Sequence, residues 1–409
     1  MKIIFVIPSL ARGGQEKAGM LLCNFLRNYH DVTVICFENE QPDDFSYLVP
    51  VIRLADVKAG SFFSKTIKSF RRISHLRRIK KQQRADISIA FGNTAIIANW
   101  LSSVGERQIV SIRQSFKWIL EQKGILMKLH LSFYVKALKR AHTIVSVSSH
   151  INSELLKFNI SNNIVIHNGI DVVDIVNRGS VAVEGMKENK IYISHCGRFD
   201  YSKGHWHLVK VFIEIKKKCR NAVLLLLGGI DMSGSGKRIY DFCIACLAFY
   251  GFTWSSKISD EADVIFLGHQ ENPFKFISKS SLFLLTSVWE GFPNALLEAM
   301  ACAVPVVAAD CPTGPAEILK NETGRDFGIL LPAFSEKFDP LNFAVSEDEV
   351  LAGSRITELL LNSDDASFFS AQSVNRSLQF SIENTGNKWL KVIENGILPK
   401  NESYSSFSS

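Results

Sequence analysis

The chain has 409 residues, of which 46% are hydrophobic and 21% are charged. One ordinary hydrophobic core does not grow to this length, so the sequence predicts two domains. No apolar run reaches the roughly 18 residues of a transmembrane helix. The short apolar run after Met1 lacks a small-residue cleavage site, so we expect no secretory signal and a cytoplasmic protein. The eight cysteines have no disulfide-framework spacing, and the lone pair Cys243 and Cys246 has no second pair, so no metal site is expected.

Positive charge is concentrated in the first half of the chain. Residues 1–190 hold 27 Lys and Arg against 15 Asp and Glu, a net charge of +12, and the remainder holds 20 against 25, a net charge of −5. Two segments, 62–84 and 117–140, carry much of the excess, and the first has nine basic residues and no acidic one. The apolar residues of these segments are Phe63, Ile67, Phe70, Ile73, Leu76 and Ile79 in the first, and Trp118, Phe133 and Tyr134 in the second.

This pattern predicts basic amphipathic helices whose apolar stripe packs on a sheet or faces a membrane. Basic side chains near an anionic leaflet contribute about 1 kcal/mol each, so we expect peripheral binding to the inner face of the cytoplasmic membrane. No base-reading motif accompanies the charge, so nucleic acid is not an expected partner.

Short apolar runs alternate along the chain with helix-length amphipathic segments, which is typical of parallel sheets covered on both faces. The first series comprises residues 2–8, 31–37, 85–91, 108–113, 143–148 and 163–169. The second series comprises residues 190–197, 222–229, 263–268, 281–287, 304–310 and 328–332. The sequence therefore predicts an α/β protein with two Rossmann-like, doubly wound parallel-sheet domains that face each other across a cleft. The predicted ranges are 1–175 for the first domain, 176–189 for a linker, 190–375 for the second domain, 376–396 for a C-terminal helix and 397–409 for a flexible tail.

Several loops at predicted strand ends carry residues suited to a nucleotide. Gly13 and Gly14 lie at a strand-to-helix turn, where unhindered amides can meet a phosphate. Arg198 and Lys203 follow the first strand of the second domain and form a cation pair suited to a diphosphate. The loop Gly268, His269, Gln270 can offer backbone groups to a base edge. Taken alone, each of these segments is better explained as an ordinary turn or solvated loop.

The most specific segment is "SVWEGFPNALLEAMA", residues 287–301. Glu290 follows a buried strand, and Glu298 lies about two turns along the next helix within an apolar frame. A carboxylate in such a segment is costly unless it meets hydrogen-bond donors, and sugar hydroxyls are such donors.

In this order, the segments resemble the retaining glycosyltransferases of the GT-B fold, specifically glycosyltransferase family 4, over nearly the whole chain. The resemblance is strongest in "FLGHQENP", in the two glutamates of the E-x7-E element and in "GILLP", and "VIHNGID" and "GRFDYSKG" support it.

The resemblance implies a role for each of these residues. Glu298 would hold the ribose hydroxyls of the nucleotide, and Glu290 would act at the donor sugar. Arg198 and Lys203 would neutralise the diphosphate, with the amides of Asn294, Ala295 and Leu296 assisting. Gly13 and Gly14 would approach the phosphates from the first domain. No metal ion or cofactor is implied, because fixed cations and helix dipoles act on the leaving group.

The implied reaction transfers a hexose or N-acetylhexosamine from a nucleotide diphosphate sugar, a UDP-sugar, to a membrane-held glycan or lipid-linked acceptor in bacterial polysaccharide or lipopolysaccharide assembly. One segment departs from the family pattern: many relatives carry a His near the donor sugar, where this chain has Arg113 and Gln114. Two alternatives stay open from the fold alone, a nucleotide-sugar 2-epimerase and a noncatalytic membrane-surface scaffold.

Overall fold

The computed structural model describes residues 1–10, 13–37, 48–54, 62–115, 125–231 and 234–396, with the backbone alone for 62–67 and 125–129. The predicted tail, Trp118 and the first part of the second basic segment lie outside these residues. Packing divides the chain into two units. The first unit comprises Met1–Gly169 together with the chain from Ile382 onward, and the second unit comprises Ile170–Ser381.

The first unit contains a seven-stranded parallel sheet with the order β3-β2-β1-β4-β5-β6-β7. Its strands are β1 (Lys2–Ile7), β2 (Asp31–Cys36), β3 (Val51–Arg53), β4 (Ile87–Phe91), β5 (Arg107–Ile112), β6 (Thr143–Ser146) and β7 (Asn163–Val165). Its helices are α1 (Gly14–Leu26), α2 (Phe62–Gln83), α3 (Asn93–Leu101), α4 (Ile125–Arg140) and α5 (Ser149–Lys157). Strands β1, β2, β4, β5 and β6 are buried almost throughout because helices cover the sheet, which explains why they read as continuous apolar runs.

The second unit repeats this architecture with the strand order β10-β11-β9-β8-β12-β13-β14. Its strands are β8 (Ile191–Cys196), β9 (Ala222–Leu227), β10 (Trp254–Ser255), β11 (Val264–Gly268), β12 (Leu282–Leu285), β13 (Val306–Ala309) and β14 (Ile329–Leu331). Its helices are α6 (Val172–Gly179), α7 (His205–Lys218), α8 (Ser235–Phe249), α9 (Phe274–Ile277), α10 (Asn294–Ala301), α11 (Pro315–Leu319), α12 (Glu347–Leu361) and α13 (Ser363–Gln379). The two-sheet α/β fold predicted from the sequence is confirmed.

The last described helix, α14 (Ile382–Asn395), belongs to the first unit although it follows the second in the chain. Trp389 is 1% exposed and stacks on Phe91, with ring centroids 6.2 Å apart. Arg107 Nη2 donates to the carbonyl oxygen of Ile393 at 2.7 Å, which places a cation at the C-terminal end of the helix. The chain thus leaves the first unit at 169 and returns at 382, and the residues predicted as a linker, 176–189, begin within α6 of the second unit.

Two short strands, β3 and β10, were not predicted from the sequence. They span three and two residues and lie at the outer edges of their sheets. Neither segment contains an apolar run long enough to predict a strand from the sequence. Each forms a strand through its pairing with β2 or β11.

Candidate active site

The second sheet brings two predicted site residues together where its strand order reverses, between β8 and β12. Ligands of open parallel sheets bind beyond the carboxyl ends of the strands at such a point. Lys203 lies in a short 3-10 turn, Tyr201–Lys203, after β8, and Glu290 lies in the loop after β12. The Lys203 Nζ atom donates to Glu290 Oε1 at 2.7 Å.

The turn that carries Lys203 is fixed from both sides. Asp200 caps it, because Asp200 Oδ1 accepts from Ser202 N at 2.8 Å. The turn ends at Gly204, which has a left-handed φ of 60°, and a Cβ there would lie 2.2 Å from the carbonyl oxygen of Thr286. Only glycine allows this close approach, which holds the Lys203 turn against the end of β12.

Glu290 is held through its carboxylate by a neighbour from its own loop and through its backbone by a residue of the loop after β13. Ser287 Oγ donates to Glu290 Oε1 at 2.6 Å, and Thr313 Oγ1 donates to the backbone carbonyl of Glu290. The side chain of Glu290 is 8% exposed and that of Lys203 is 23% exposed. A carboxylate with two polar donors and little solvent is oriented before any ligand arrives.

Electrostatics keep Lys203 charged. Burial by itself lowers the pKa of Lys203, but the Glu290 carboxylate and then Asp200 oppose it, so the pKa lies above its ordinary value. Burial, followed by the charge of Glu290, raises the pKa of the nearby Cys311 thiol, so that side chain stays neutral. The site therefore presents a fixed ammonium beside a fixed carboxylate at neutral pH.

Glu298 lies on α10 and is 7% exposed, as the predicted apolar frame requires. The turn before α10 packs on the loop after β13, where Gly314 has a φ of 94° and a Cβ would lie 2.4 Å from Pro293 Cδ. Of the three amides predicted to face a phosphate, that of Leu296 already donates to the carbonyl oxygen of Pro293 at 3.1 Å. Asn294 and Ala295 are half-buried at the start of the helix.

The other predicted residues of the second unit lie at the same edge of its sheet. Arg198 follows β8 and is exposed, with no hydrogen bond or ion pair to any residue within the described ranges. Gly268 ends β11 with a φ of 64°, and its carbonyl oxygen accepts from Gly228 N at 2.8 Å. Gln270 Nε2 donates to the carbonyl oxygen of Leu267 at 2.7 Å, while His269 is exposed. His269 is therefore accessible to a ligand, whereas the side-chain amide of Gln270 forms a hydrogen bond within its own loop.

In the first unit, Gly13 and Gly14 lie at the start of α1, after β1. Arg113 and Gln114 follow β5, and Gln114 is exposed. Arg113 is instead held in place, since its Nη1 donates to Asn168 Oδ1 and its guanidinium carbon lies 4.4 Å from the ring centroid of Phe91.

Sequence reasoning missed the three polar residues that support the ion pair: Asp200, Ser287 and Thr313. All three follow strands directly or within a few residues, in "GRFDYSKG", "LLTSVWEG" and "AADCPTGP". Polar residues just beyond buried parallel strands were the available signal, because those strand ends converge at one edge.

Two family matches cover most of the chain. The family described as Glycosyltransferase Family 4 matches residues 12–174, and that described as Glycosyl transferases group 1 matches residues 190–339. The chain belongs to glycosyltransferase family 4. Within the part of the chain that the structure describes, no group of three or more His, Cys, Asp or Glu residues is placed to hold a metal ion.

Similar proteins include other glycosyltransferases. An uncharacterized glycosyltransferase of Methanocaldococcus jannaschii is 30% identical over 225 residues, 52% of this chain and 51% of that protein, so the match spans about half of that relative. Two N-acetylgalactosaminyltransferases of Campylobacter jejuni, whose names specify undecaprenol diphosphate-linked sugars, match more of the chain. One is 24% identical over 85% of this chain and 91% of that protein, and the other is 22% identical over 96% and 98%.

Solved structures of the same fold cover nearly the whole chain. Anabaena HepE in complex with UDP and glucose matches with a TM-score of 0.74 and 17% identity, over 96% of this chain and 99% of that one. WaaG, a glycosyltransferase involved in lipopolysaccharide biosynthesis, matches with a TM-score of 0.67 and 14% identity, over 96% and 100%. These likenesses establish the GT-B fold of this glycosyltransferase.

Proposed function

We propose that this glycosyltransferase moves a hexose or N-acetylhexosamine from a UDP-sugar to a glycan or lipid-linked acceptor, with retention of the anomeric configuration and without a metal ion, in bacterial polysaccharide assembly. The observation that carries the proposal is the ion pair of Lys203 and Glu290 at the strand-order reversal of the second sheet. It places a cation for a leaving diphosphate next to a carboxylate for the sugar.

Each further residue has a chemical role in this reaction. Arg198, exposed at the end of β8, joins Lys203 in neutralising the diphosphate. Glu298 accepts hydrogen bonds from the ribose, and the Gly268, His269 and Gln270 loop meets the uracil edge. Glu290 orients the sugar hydroxyls and stabilises the positive charge that develops at the anomeric carbon.

The reaction breaks the bond between the anomeric carbon and the diphosphate oxygen, and forms a bond from that carbon to the acceptor oxygen on the same face. The proton of the acceptor hydroxyl passes to an oxygen of the departing diphosphate. Fixed cations stabilise that leaving group, so the reaction needs no metal ion.

The donor is the first point to test. A nucleotide sugar at 100 times its dissociation constant should stabilise the folded protein by about 2.7 kcal/mol, which a thermal-shift screen of UDP- and GDP-sugars detects. UDP-sugars should raise the melting temperature and GDP-sugars should not. Incubation of the bound sugar nucleotide without acceptor should leave it unchanged; conversion to an epimer would make the protein an epimerase instead.

Replacing Glu298 by Gln tests the ribose contact. The variant should bind UDP about tenfold more weakly, because a charge-assisted hydrogen bond becomes a neutral one. Isothermal titration calorimetry with UDP measures the loss of affinity. The same measurement with uracil, which lacks the ribose and the diphosphate, shows whether the base contact has changed as well. Binding of UDP as tight as in the unchanged protein would remove Glu298 from the nucleotide site.

A membrane-held acceptor is supported by the basic surface of α2. Arg71, Arg77 and Arg78 are exposed, and Phe70 of the predicted apolar stripe is 69% exposed. Leu76 is buried as predicted, and Lys80 is buried rather than part of the basic surface. Among the described helices none is long and apolar enough to cross a bilayer. The names of the Campylobacter relatives, which specify lipid-linked sugars, point in the same direction.

Changing Arg71, Arg77 and Arg78 together to Gln should weaken binding to vesicles that contain anionic lipid by roughly a hundredfold, because each exposed cation contributes about 1 kcal/mol. Co-sedimentation at low and high salt measures the effect. A matched triple variant of the second unit, with Lys218, Arg220 and Lys257 changed to Gln, removes the same charge elsewhere. Equal losses in both triple variants would show nonspecific attraction and contradict a membrane-facing α2.

A further inference from the structure

The last turn of α13 carries an arginine, Arg376, whose contacts reach the two loops around Glu290. The first of these loops follows β12 and contains Glu290 itself, and the second follows β13 and contains Thr313. All of these residues belong to the second unit. Arg376 is half-buried, and none of the proposed reaction steps uses it.

The guanidinium of Arg376 is fixed by hydrogen bonds from all three of its nitrogens. Nε donates to the carbonyl oxygen of Ile318 at 2.8 Å, Nη2 donates to that of Glu317 at 2.7 Å, and Nη1 donates to Gln379 Oε1. The two carbonyls belong to the C-terminal half of α11, a helix of five residues whose last carbonyls have no acceptor role within the helix itself. A cation at this end of a helix satisfies the carbonyls and interacts favourably with the helix dipole.

Two phenylalanine rings lie against the same guanidinium. Its central carbon is 4.6 Å from the ring centroid of Phe327 and 4.9 Å from that of Phe380, and both rings are buried. Phe380 packs in turn on Phe292, with ring centroids 5.8 Å apart. Phe292 comes two positions after Glu290. Direct contacts therefore connect Arg376 through Phe380 to the loop that carries the carboxylate.

A second connection passes through α11. This helix begins directly after Gly314, which packs closely on Pro293 of the loop after β12. Thr313, one position earlier, donates through its hydroxyl to the backbone carbonyl of Glu290. Because a short helix is one hydrogen-bonded element, an anchor at its C-terminal end limits the position of its N-terminal end. Arg376 supplies that anchor.

We propose that Arg376 is a positioning residue for Glu290: it fixes the loop after β12 through Phe380 and the loop after β13 through α11, and so sets the place of the carboxylate beside the donor sugar. The proposal rests on the proposed function, in which Glu290 acts at the anomeric carbon. A displacement of about 1 Å at a reacting centre costs about 100-fold in rate, so an anchor outside the site affects catalysis. The effect should appear in kcat and not in the binding of UDP.

Three substitutions separate this role from a general contribution to the fold. Arg376→Gln removes the planar cation and should lower kcat about tenfold, while the dissociation constant of UDP stays within about twofold. Arg376→Lys keeps the charge but not the planar fork, and should lower kcat about threefold. Arg325→Gln is the matched control, because Arg325 is also stacked on two phenylalanines and bound to α13, through Asp365 at 2.6 Å. Asp365 lies in the first turn of α13, at the opposite end from Arg376, so this variant should leave kcat unchanged.

The deciding experiment combines Arg376→Gln with Glu290→Gln in the full chain. Initial rates of UDP release are measured with whichever of UDP-glucose, UDP-galactose and their N-acetylated forms gives the largest thermal shift. The rates are divided by the concentration of sites that bind UDP in calorimetry, and melting temperatures serve as a folding check. The double variant should be no slower than Glu290→Gln alone, because no charged group is left to position. A purely structural Arg376 would lower the rate by the same factor in both backgrounds.

A loss in Arg376→Gln that disappears in the Glu290→Gln background supports the proposal. A loss of equal size in both backgrounds, or a kcat of Arg376→Gln within about twofold of the unchanged protein, overturns it. Should Arg376→Gln fail to fold, Arg376→Lys is compared in the same two backgrounds by the same criteria.

The outcome is separable from that of the proposed function. A large loss in Glu290→Gln without any loss in Arg376→Gln retains the function and rejects only the positioning role. A Glu290→Gln variant that releases UDP as fast as the unchanged protein rejects both.

Discussion

Replacing Glu290 by Gln is expected to lower kcat about 100- to 1,000-fold while the protein stays folded. The carboxylate accepts from Lys203 at 2.7 Å and from Ser287 at 2.6 Å, and its side chain is 8% exposed. Gln keeps this shape but carries no charge, so it cannot stabilise the positive charge that develops at the anomeric carbon. Initial rates with the donor identified by thermal shift, at saturating acceptor, measure the effect.

The same variant should change the pH dependence of the reaction. Glu290 raises the pKa of Lys203, so its removal lowers that pKa. Lys203 must be protonated to neutralise the diphosphate, and activity is lost as the pH rises through its pKa. The alkaline limb of the kcat/KM profile should therefore move to lower pH in Glu290→Gln.

Two controls separate this role from a general loss of structure. Ser287→Ala removes one hydrogen bond to the carboxylate and should reduce kcat by about tenfold. Glu322→Gln removes an exposed carboxylate of the same unit and should leave kcat unchanged. A Glu290→Gln enzyme within about twofold of the unchanged kcat would show that the residue only supports the loop.

Replacing Lys80 by Met should lower the free energy of unfolding of the first unit by about 3–5 kcal/mol, because it leaves a buried carboxylate without its counter-ion. Lys80 Nζ lies 2.6 Å from Glu106 Oε1, and both side chains are 0% exposed. Lys80 also donates to the carbonyl oxygen of Asn99 at 2.9 Å, and Val104 N donates to Glu106 Oε2 at 2.8 Å. The pair thus joins α2 to α3 and to the loop that follows α3.

Urea unfolding of the variant, followed with a probe in the first unit, measures this loss. The neighbouring Lys81→Met is the matched control, since Lys81 is exposed and its replacement should change stability by less than about 0.5 kcal/mol. The double variant Lys80→Met with Glu106→Gln should lose less free energy of unfolding than the two single variants lose in sum. Equal stability of Lys80→Met and Lys81→Met would contradict a stabilising pair.

A low pH should reduce the free energy of unfolding of the first unit. Burial alone would raise the pKa of Glu106, but the Lys80 ammonium and the hydrogen bonds hold it well below its ordinary value of 4.5. At pH values below about 4.5 the unfolded chain therefore binds more protons than the folded one. The contribution of Glu106 to the free energy of unfolding is complete above about pH 4.5 and is lost as the pH falls further. In Glu106→Gln this part of the acid dependence should disappear.

Much of the fold was predictable because its strands are buried on both sides. Each of the twelve predicted apolar runs contains most or all of an observed strand, since a strand covered by helices on both faces is apolar at consecutive positions. Glu290 and Glu298 could also be singled out from the sequence as site candidates, because charged residues beside buried segments are unusual; Glu290 lies in the loop after β12 and Glu298 lies on α10. The basic character of 62–84 was visible in the sequence, but the burial of Lys80 was not, because its partner Glu106 lies in a distant loop.

The sequence by itself determined the two parallel sheets, the family and the loops that carry the candidate site, since these follow from local patterns of apolar and polar residues. Only the tertiary structure decided which of these loops meet. Lys203 and Glu290 are 87 positions apart, and Arg113 and Asn168 are 55 apart. The first contact depends on the strand order that brings β8 next to β12, and the second on β5, β6 and β7 lying side by side; no local pattern specifies that order. The return of α14 to the first unit has the same origin, because Trp389 packs on Phe91 although the whole second unit separates them along the chain.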